Sequence, residues 1–165
     1  TAQALSPARA LTGFLGERLD EVERTGVVRP DAPFSSPDHY RVEVPEGRAS
    51  WLVVVPPERG AVQVAVLDDG ELRRGRPLEV RAAPAFVELR SAPRGRKVRL
   101  LAGRDSLAGD SYQLAVADLG EHGLDAVLEL AELLRAQGRE ASRRLVLEGA
   151  AQRLAASPQA GRLAP

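Results

Sequence analysis

Few residues in this chain have the chemistry to act on another molecule. Asp38-His39 places a histidine directly after a carboxylate in a proline-rich stretch. A general base needs that pairing and a nucleophile within reach. Ser35, Ser36 and Ser50 are the nearby hydroxyls, but none sits in a nucleophile-elbow pattern, and Asp38-His39 reads better as a polar pair at the end of a linker. His122, in Glu121-His122-Gly123, is far from His39 in sequence. With no His-x-x-x-His spacing, zinc ligation has no pattern to rest on, and His122 reads as a surface residue. Asp68 and Asp69, with Asp105 and Asp110, could offer oxygens to calcium if their two loops met at one end of the fold. Each pair is also what a tight turn selects, because Asp hydrogen-bonds its own backbone there. The expectation is therefore a chain with no catalytic residues, no metal and no cofactor, and not an enzyme, with the four aspartates as the calcium candidates.

The basic residues point no more firmly. Lys97 is the only lysine among 23 basic residues, and 23 acidic residues balance them. A chain of zero net charge has no global field to hold a polyanion. Arg94, Arg96, Lys97 and Arg99 form the densest cluster, and Arg73, Arg74 and Arg76 a second. Aromatics make up only 4%, so a stacking platform for bases is missing. No nucleic-acid partner is expected, and the clusters read as solvated strand faces, with Glu79 and Glu88 placed to pair across strands. Cysteine is absent, which removes disulfides and thiol chemistry. Methionine is absent too, and the chain opens at Thr1. That suggests a removed signal peptide, lipoprotein leader or neighbouring region, and with it an extracytoplasmic place, periplasm or cell envelope. The apolar runs are too short for a transmembrane segment.

The elements that would position these residues fall into four regions. Residues 1–26 read as an amphipathic helix: Ser6-Pro7 is a helix start, and Leu11, Leu15, Leu19 and Val22 recur at helical spacing. Residues 27–38, with Pro30, Pro33 and Pro37, read as an extended linker. Residues 39–118 read as about seven short strands: Tyr40–Val44, Trp51–Val55, Ala61–Leu67, Leu78–Arg81, Phe86–Arg90, Val98–Ala102 and Ser111–Ala117. Turns every 8 to 12 residues suggest an antiparallel β-sandwich, immunoglobulin-like or jelly-roll-like. Trp51–Val55 is apolar throughout, as a strand buried on both faces would be. Residues 119–165 read as a helical hairpin broken at Gln137-Gly138, with Leu124, Val127, Leu128, Ala131 and Leu134 on one stripe and Leu145, Val146, Leu147, Ala150 and Leu154 in the second helix. The fold class is thus α+β.

Within the β block, Tyr40-Arg41-Val42-Glu43-Val44-Pro45-Glu46-Gly47 resembles the opening strand and turn of a bacterial pre-peptidase C-terminal domain. Val64-Ala65-Val66-Leu67-Asp68-Asp69-Gly70 is similar to that family's central strand and turn, Ala92 to Leu100 to its penultimate strand, and Asp110 to Val116 to its closing strand. The resemblance implies a non-catalytic sandwich of an exported bacterial protein. It lends no support to calcium, since Val62-Gln63 stand where family members often carry an acidic pair. Lys97 takes the place of a usual aromatic, so Trp51 or Phe86 is expected to fill the core instead.

The apolar stripes of the helices need a surface to cover. Either they pack on an open face of the sandwich, or Leu11, Leu15, Leu19, Val22, Leu124, Leu128, Leu134 and Leu145 meet another protein or a copy of this one. The expected role is a non-enzymatic interaction or assembly module, with the sandwich as scaffold and the helices as contact surface. The alternatives are an accessory domain of a peptidase or other hydrolase, and a ligand- or calcium-binding module.

Overall fold

A computed structural model describes residues 3–15, 39–67, 77–103, 105–106 and 110–163. Among them the strands are β1 (Gln3–Leu5), β2 (Leu11–Phe14), β3 (His39–Val42), β4 (Ser50–Val55), β5 (Ala61–Leu67), β6 (Leu78–Arg81), β7 (Ala85–Leu89), β8 (Arg96–Ala102) and β9 (Ser111–Ala117). Two helices follow, α1 (Asp125–Ala136) and α2 (Glu140–Arg153), then a 3₁₀ turn at Ala160–Leu163. One sheet runs in the order β1-β3-β8-β5-β6 and the other in the order β2-β9-β4-β7. Neighbours pair antiparallel except β1, which lies parallel to β3. The fold is an α+β sandwich, and all seven strands expected from the sequence are present.

Alternation decides which side chains enter the sandwich, because successive residues of a strand face opposite ways. Tyr40, Val42, Val62, Val64, Val98 and Leu100 of the first sheet meet Leu52, Val54, Tyr112, Leu114 and Val116 of the second in one buried cluster. The Tyr40 and Tyr112 rings cross edge to face at 84°, and their hydroxyls lie 2.6 Å apart. Neither Trp51 nor Phe86 fills this space. Both pack against the second cluster, on the far side of the sheet. The tyrosines can occupy the interior because each hydroxyl is a hydrogen-bond partner for the other.

The second sheet is buried on its outer side as well. Val53, Val55, Ala115 and Ala117 alternate with the residues above and pack beneath Leu124, Val127, Leu130, Leu134, Val146, Leu147 and Ala150. The continuous apolar run of β4 has this cause: it is the middle of three layers. Small Ala115 and Ala117 leave room for α1 to lie close. Gly149 does the same for α2, since a Cβ there would collide with the Phe86 ring. Arg153 then stacks over Phe86 at 4.4 Å and Trp51 at 5.2 Å, closing the edge of this layer.

The N-terminal region corrects the sequence reading. Residues 3–5 and 11–14 are strands, not a helix. Ser6-Pro7 does start a turn, with the Ser6 hydroxyl accepting from the Ala8 N–H at 3.1 Å, but the turn is not continued. The Leu11 to Leu15 spacing of four suits a strand as well as a helix, and here Leu11, Gly13 and Leu15 face inward while Thr12 and Phe14 are exposed. Gly13 settles the matter physically: it disfavours a helix interior, and its missing Cβ admits the Tyr112 ring. The sandwich therefore includes Gln3–Leu5 and Leu11–Phe14, ahead of residue 39. Leu19, Val22 and the linker expected at 27–38 lie outside the described residues.

Candidate functional site

The hairpin turn positions the most chemically loaded surface. Gly138, at φ 73°, ends α1 in the left-handed region. Its N–H donates to the Arg135 carbonyl at 3.1 Å, and the Arg139 N–H to the Leu134 carbonyl at 2.9 Å. This paired closure is the Schellman motif. It fixes Arg139 against the end of β4, where one of its guanidinium N–H groups donates to the Pro56 carbonyl at 3.0 Å. The antiparallel β4–β9 pairing, Val55 opposite Gln113, brings the residues after β4 beside those that open β9. Pro57, Glu58, Arg59, Asp110, Ser111, Gln137 and Arg139 together line a cleft of ≈ 380 Å³. That is within the range of small-ligand sites.

Arg139 is half-buried, and burial lowers its guanidinium pKa from the ordinary value while the Glu58 charge opposes that shift. Glu58 thus acts on Arg139 through space. Among the described residues neither Glu58 nor Arg59 makes an ion pair. The cleft therefore carries both signs of charge on walls that do not close onto each other.

The residues singled out from the sequence lie elsewhere, Asp110 excepted. His39 is on the outer face of the first sheet, since Tyr40 and Val42 point inward. Ser50 is buried on the second sheet, whose inner face carries Leu52 and Val54. The two belong to different sheets and form no catalytic pair; Asp38, Ser35 and Ser36 lie outside the described residues. His122 Nδ1 lies 3.3 Å from Asp125, which also meets Arg162 at 3.2 Å, so this histidine belongs to the start of α1. Asp105 faces Arg81 at 3.6 Å, and Arg81 also meets Glu79 of its own strand at the same distance. Asp110 lines the cleft. No three carboxylates or histidines gather among the described residues, and Asp68, Asp69, Arg73, Arg74 and Arg76 fall outside them. Arg41 opposite Lys97 and His39 opposite Arg99 make the outer face of β3 and β8 basic. Arg96 turns away to the Arg90 carbonyl at 2.8 Å.

The proposed contact leucines are mostly spent inside the chain. Leu15, Leu124 and Leu134 are buried, and Leu11 and Leu128 pack against the two cores. Only Leu145, at 44% exposure, remains on the surface of the helices among the described large apolar residues. The helices cannot offer stripes that the second sheet already covers. No helix among the described residues is long and apolar enough to cross a membrane. The cleft was not legible beforehand, because it joins a turn after β4, the start of β9 and a helical turn that only the fold brings together. The one sequence signal was Gln137-Gly138 as a helix stop.

Comparison with known proteins adds a likeness of fold. The chain is similar to a pre-peptidase C-terminal domain. The solved structure is the domain of that name from the collagenase of Bacillus anthracis, with 11% sequence identity and a TM-score of 0.43, over 70% of this chain and 94% of that chain. It bears the family name that the motifs of residues 40–118 suggested. No protein-family model matches the chain, and no curated protein matches it.

Proposed function

We propose that this chain is a non-enzymatic module, a rigid three-layer scaffold that meets its partner through polar surface at its ends and outer sheet face. The observation that carries the reading is the separation of His39 from Ser50, the one described serine among those the sequence set beside it, onto different sheets. Apolar side chains are used for internal layers, so the helices act as structural cover, not as contact surface. On this reading the module serves a larger assembly, such as a peptidase or another hydrolase, outside the cytoplasm. The support for that setting is the motif resemblance of residues 40–118.

The test is direct. Purified chain is incubated with fluorescent casein and with p-nitrophenyl acetate, beside the His39→Ala/Ser50→Ala variant. The expected rates are those of buffer for both proteins. Turnover by the native chain that the double variant loses would overturn the reading.

A further inference from the structure

We propose that the cleft between the β4–β5 turn, the start of β9 and the helical-hairpin turn binds a small zwitterion, a free amino acid or dipeptide, with its carboxylate on Arg139 and Arg59 and its ammonium on Glu58. This deepens the reading of the chain as a non-enzymatic module and rests on it, since no bond is made or broken in the site.

The argument starts from Arg139. A guanidinium carries five N–H donors in a planar fork suited to a carboxylate. Among the described residues Arg139 makes one guanidinium hydrogen bond, to the Pro56 carbonyl at 3.0 Å. The group is nonetheless half-buried, and desolvation lowers its pKa. A partly dehydrated cation with donors to spare is stabilised when an anion takes them. Arg59 lines the same cleft from the β4–β5 turn and reinforces the preference for an anion.

Glu58 sets the second half of the specificity. It lies on the same cleft and raises the Arg139 pKa, yet it makes no ion pair among the described residues. Two opposite charges that feel each other across a gap fit a ligand with two opposite ends. Asp110 adds a second carboxylate to the wall. A zwitterion satisfies Glu58 as well as Arg139, whereas a dianion such as phosphate leaves Glu58 facing like charge. Ser111 and Gln137 contribute a hydroxyl and an amide, which suit a peptide group or the polar atoms of an amino acid. The scaffold holds this arrangement in place, because the Schellman turn and the Pro56 contact fix Arg139 before any ligand arrives.

The full chain labelled with ¹⁵N is titrated with L-alanyl-L-alanine, and separately with sodium acetate, methylammonium chloride and inorganic phosphate. The expected result is saturable shifts at the Glu58, Arg59, Ser111 and Arg139 amides with the dipeptide, at least about tenfold tighter than with acetate or methylammonium. Arg139→Gln is expected to abolish these shifts. Glu58 makes no described contact whose loss would unfold the chain, so Glu58→Gln is expected to keep the melting temperature while weakening the dipeptide about tenfold and leaving acetate unchanged. Equal binding of acetate and dipeptide, tighter binding of phosphate, unsaturable shifts or an unaffected Glu58→Gln variant would each overturn the site. The dipeptide's own methyl signals report its integrity: cleavage during the titration would overturn the module reading instead, whatever the binding.

Discussion

The tyrosine pair shows how single residues specify this sandwich. Tyr40 and Tyr112 are each about 1% exposed and come from opposite sheets. Their hydroxyls, 2.6 Å apart, are buried groups that must be partnered. A hydroxyl pair holds one relative position of the two sheets, whereas Val against Val tolerates small slides. Tyr112→Phe leaves the Tyr40 hydroxyl one partner short inside the core. The expected loss is about 1–3 kcal/mol, the penalty for a buried polar group deprived of a bond. The double variant Tyr40→Phe/Tyr112→Phe removes both polar atoms together. It is expected to lose less than the sum of the two single changes, in a thermodynamic cycle measured by urea denaturation. Strict additivity would mean the two hydroxyls do not support each other.

At the scale of elements, α2 shows why a propensity argument alone misleads. Gly149 weakens a helix by about 1 kcal/mol relative to Ala, so Gly149→Ala should stabilise if α2 stood alone. In the fold that position faces the Phe86 ring, with no room for a methyl. Overpacking of this kind costs typically about 1–3 kcal/mol, which exceeds the propensity gain. Gly149→Ala is therefore expected to lower the melting temperature and to shift Trp51 emission, because Arg153 bridges Phe86 and Trp51. A stabilised variant with unchanged emission would contradict this packing. The same elements show what the sequence could and could not tell. The three strands Ala61–Leu67, Leu78–Arg81 and Ser111–Ala117 were legible to the residue, since alternation and turn residues bracket them. The helical hairpin was legible from its stripes and from Gln137-Gly138. β2 was not, because a leucine spacing of four satisfies both periods and Ser6-Pro7 is a helix start in isolation. Only the presence of Tyr112 across from Gly13 decides for the strand, and that is tertiary information. The cleft was illegible for the same reason: Arg59, Ser111 and Arg139 are neighbours only after β4 and β9 pair and the hairpin turns over them.

At the scale of the whole molecule, the described residues form three layers that share the middle one. β4 and β9 give Leu52, Val54, Leu114 and Val116 to the sandwich interior, and Val53, Val55, Ala115 and Ala117 to the helical side. Neither core can be lost without stripping one face of a sheet that the other core needs, so the layers should unfold together. The chain carries its own probes of this coupling. Both tyrosines, Tyr40 and Tyr112, lie in the sandwich interior, and the single tryptophan, Trp51, packs in the helical layer. Tyrosine near-UV dichroism and Trp51 emission are therefore expected to report one coincident transition, as two-state unfolding requires. Adjacent substitutions sharpen the point, since Val53 and Val54 point into different cores and both are fully buried. Each change to Ala removes methyl groups from a packed site, at a cost on the order of 2 kcal/mol. In a coupled molecule Val53→Ala and Val54→Ala each move both probes by the same amount. If Val53→Ala shifted Trp51 alone, the hairpin would be a separable appendage, and Arg139 could no longer be regarded as fixed in place by the sandwich.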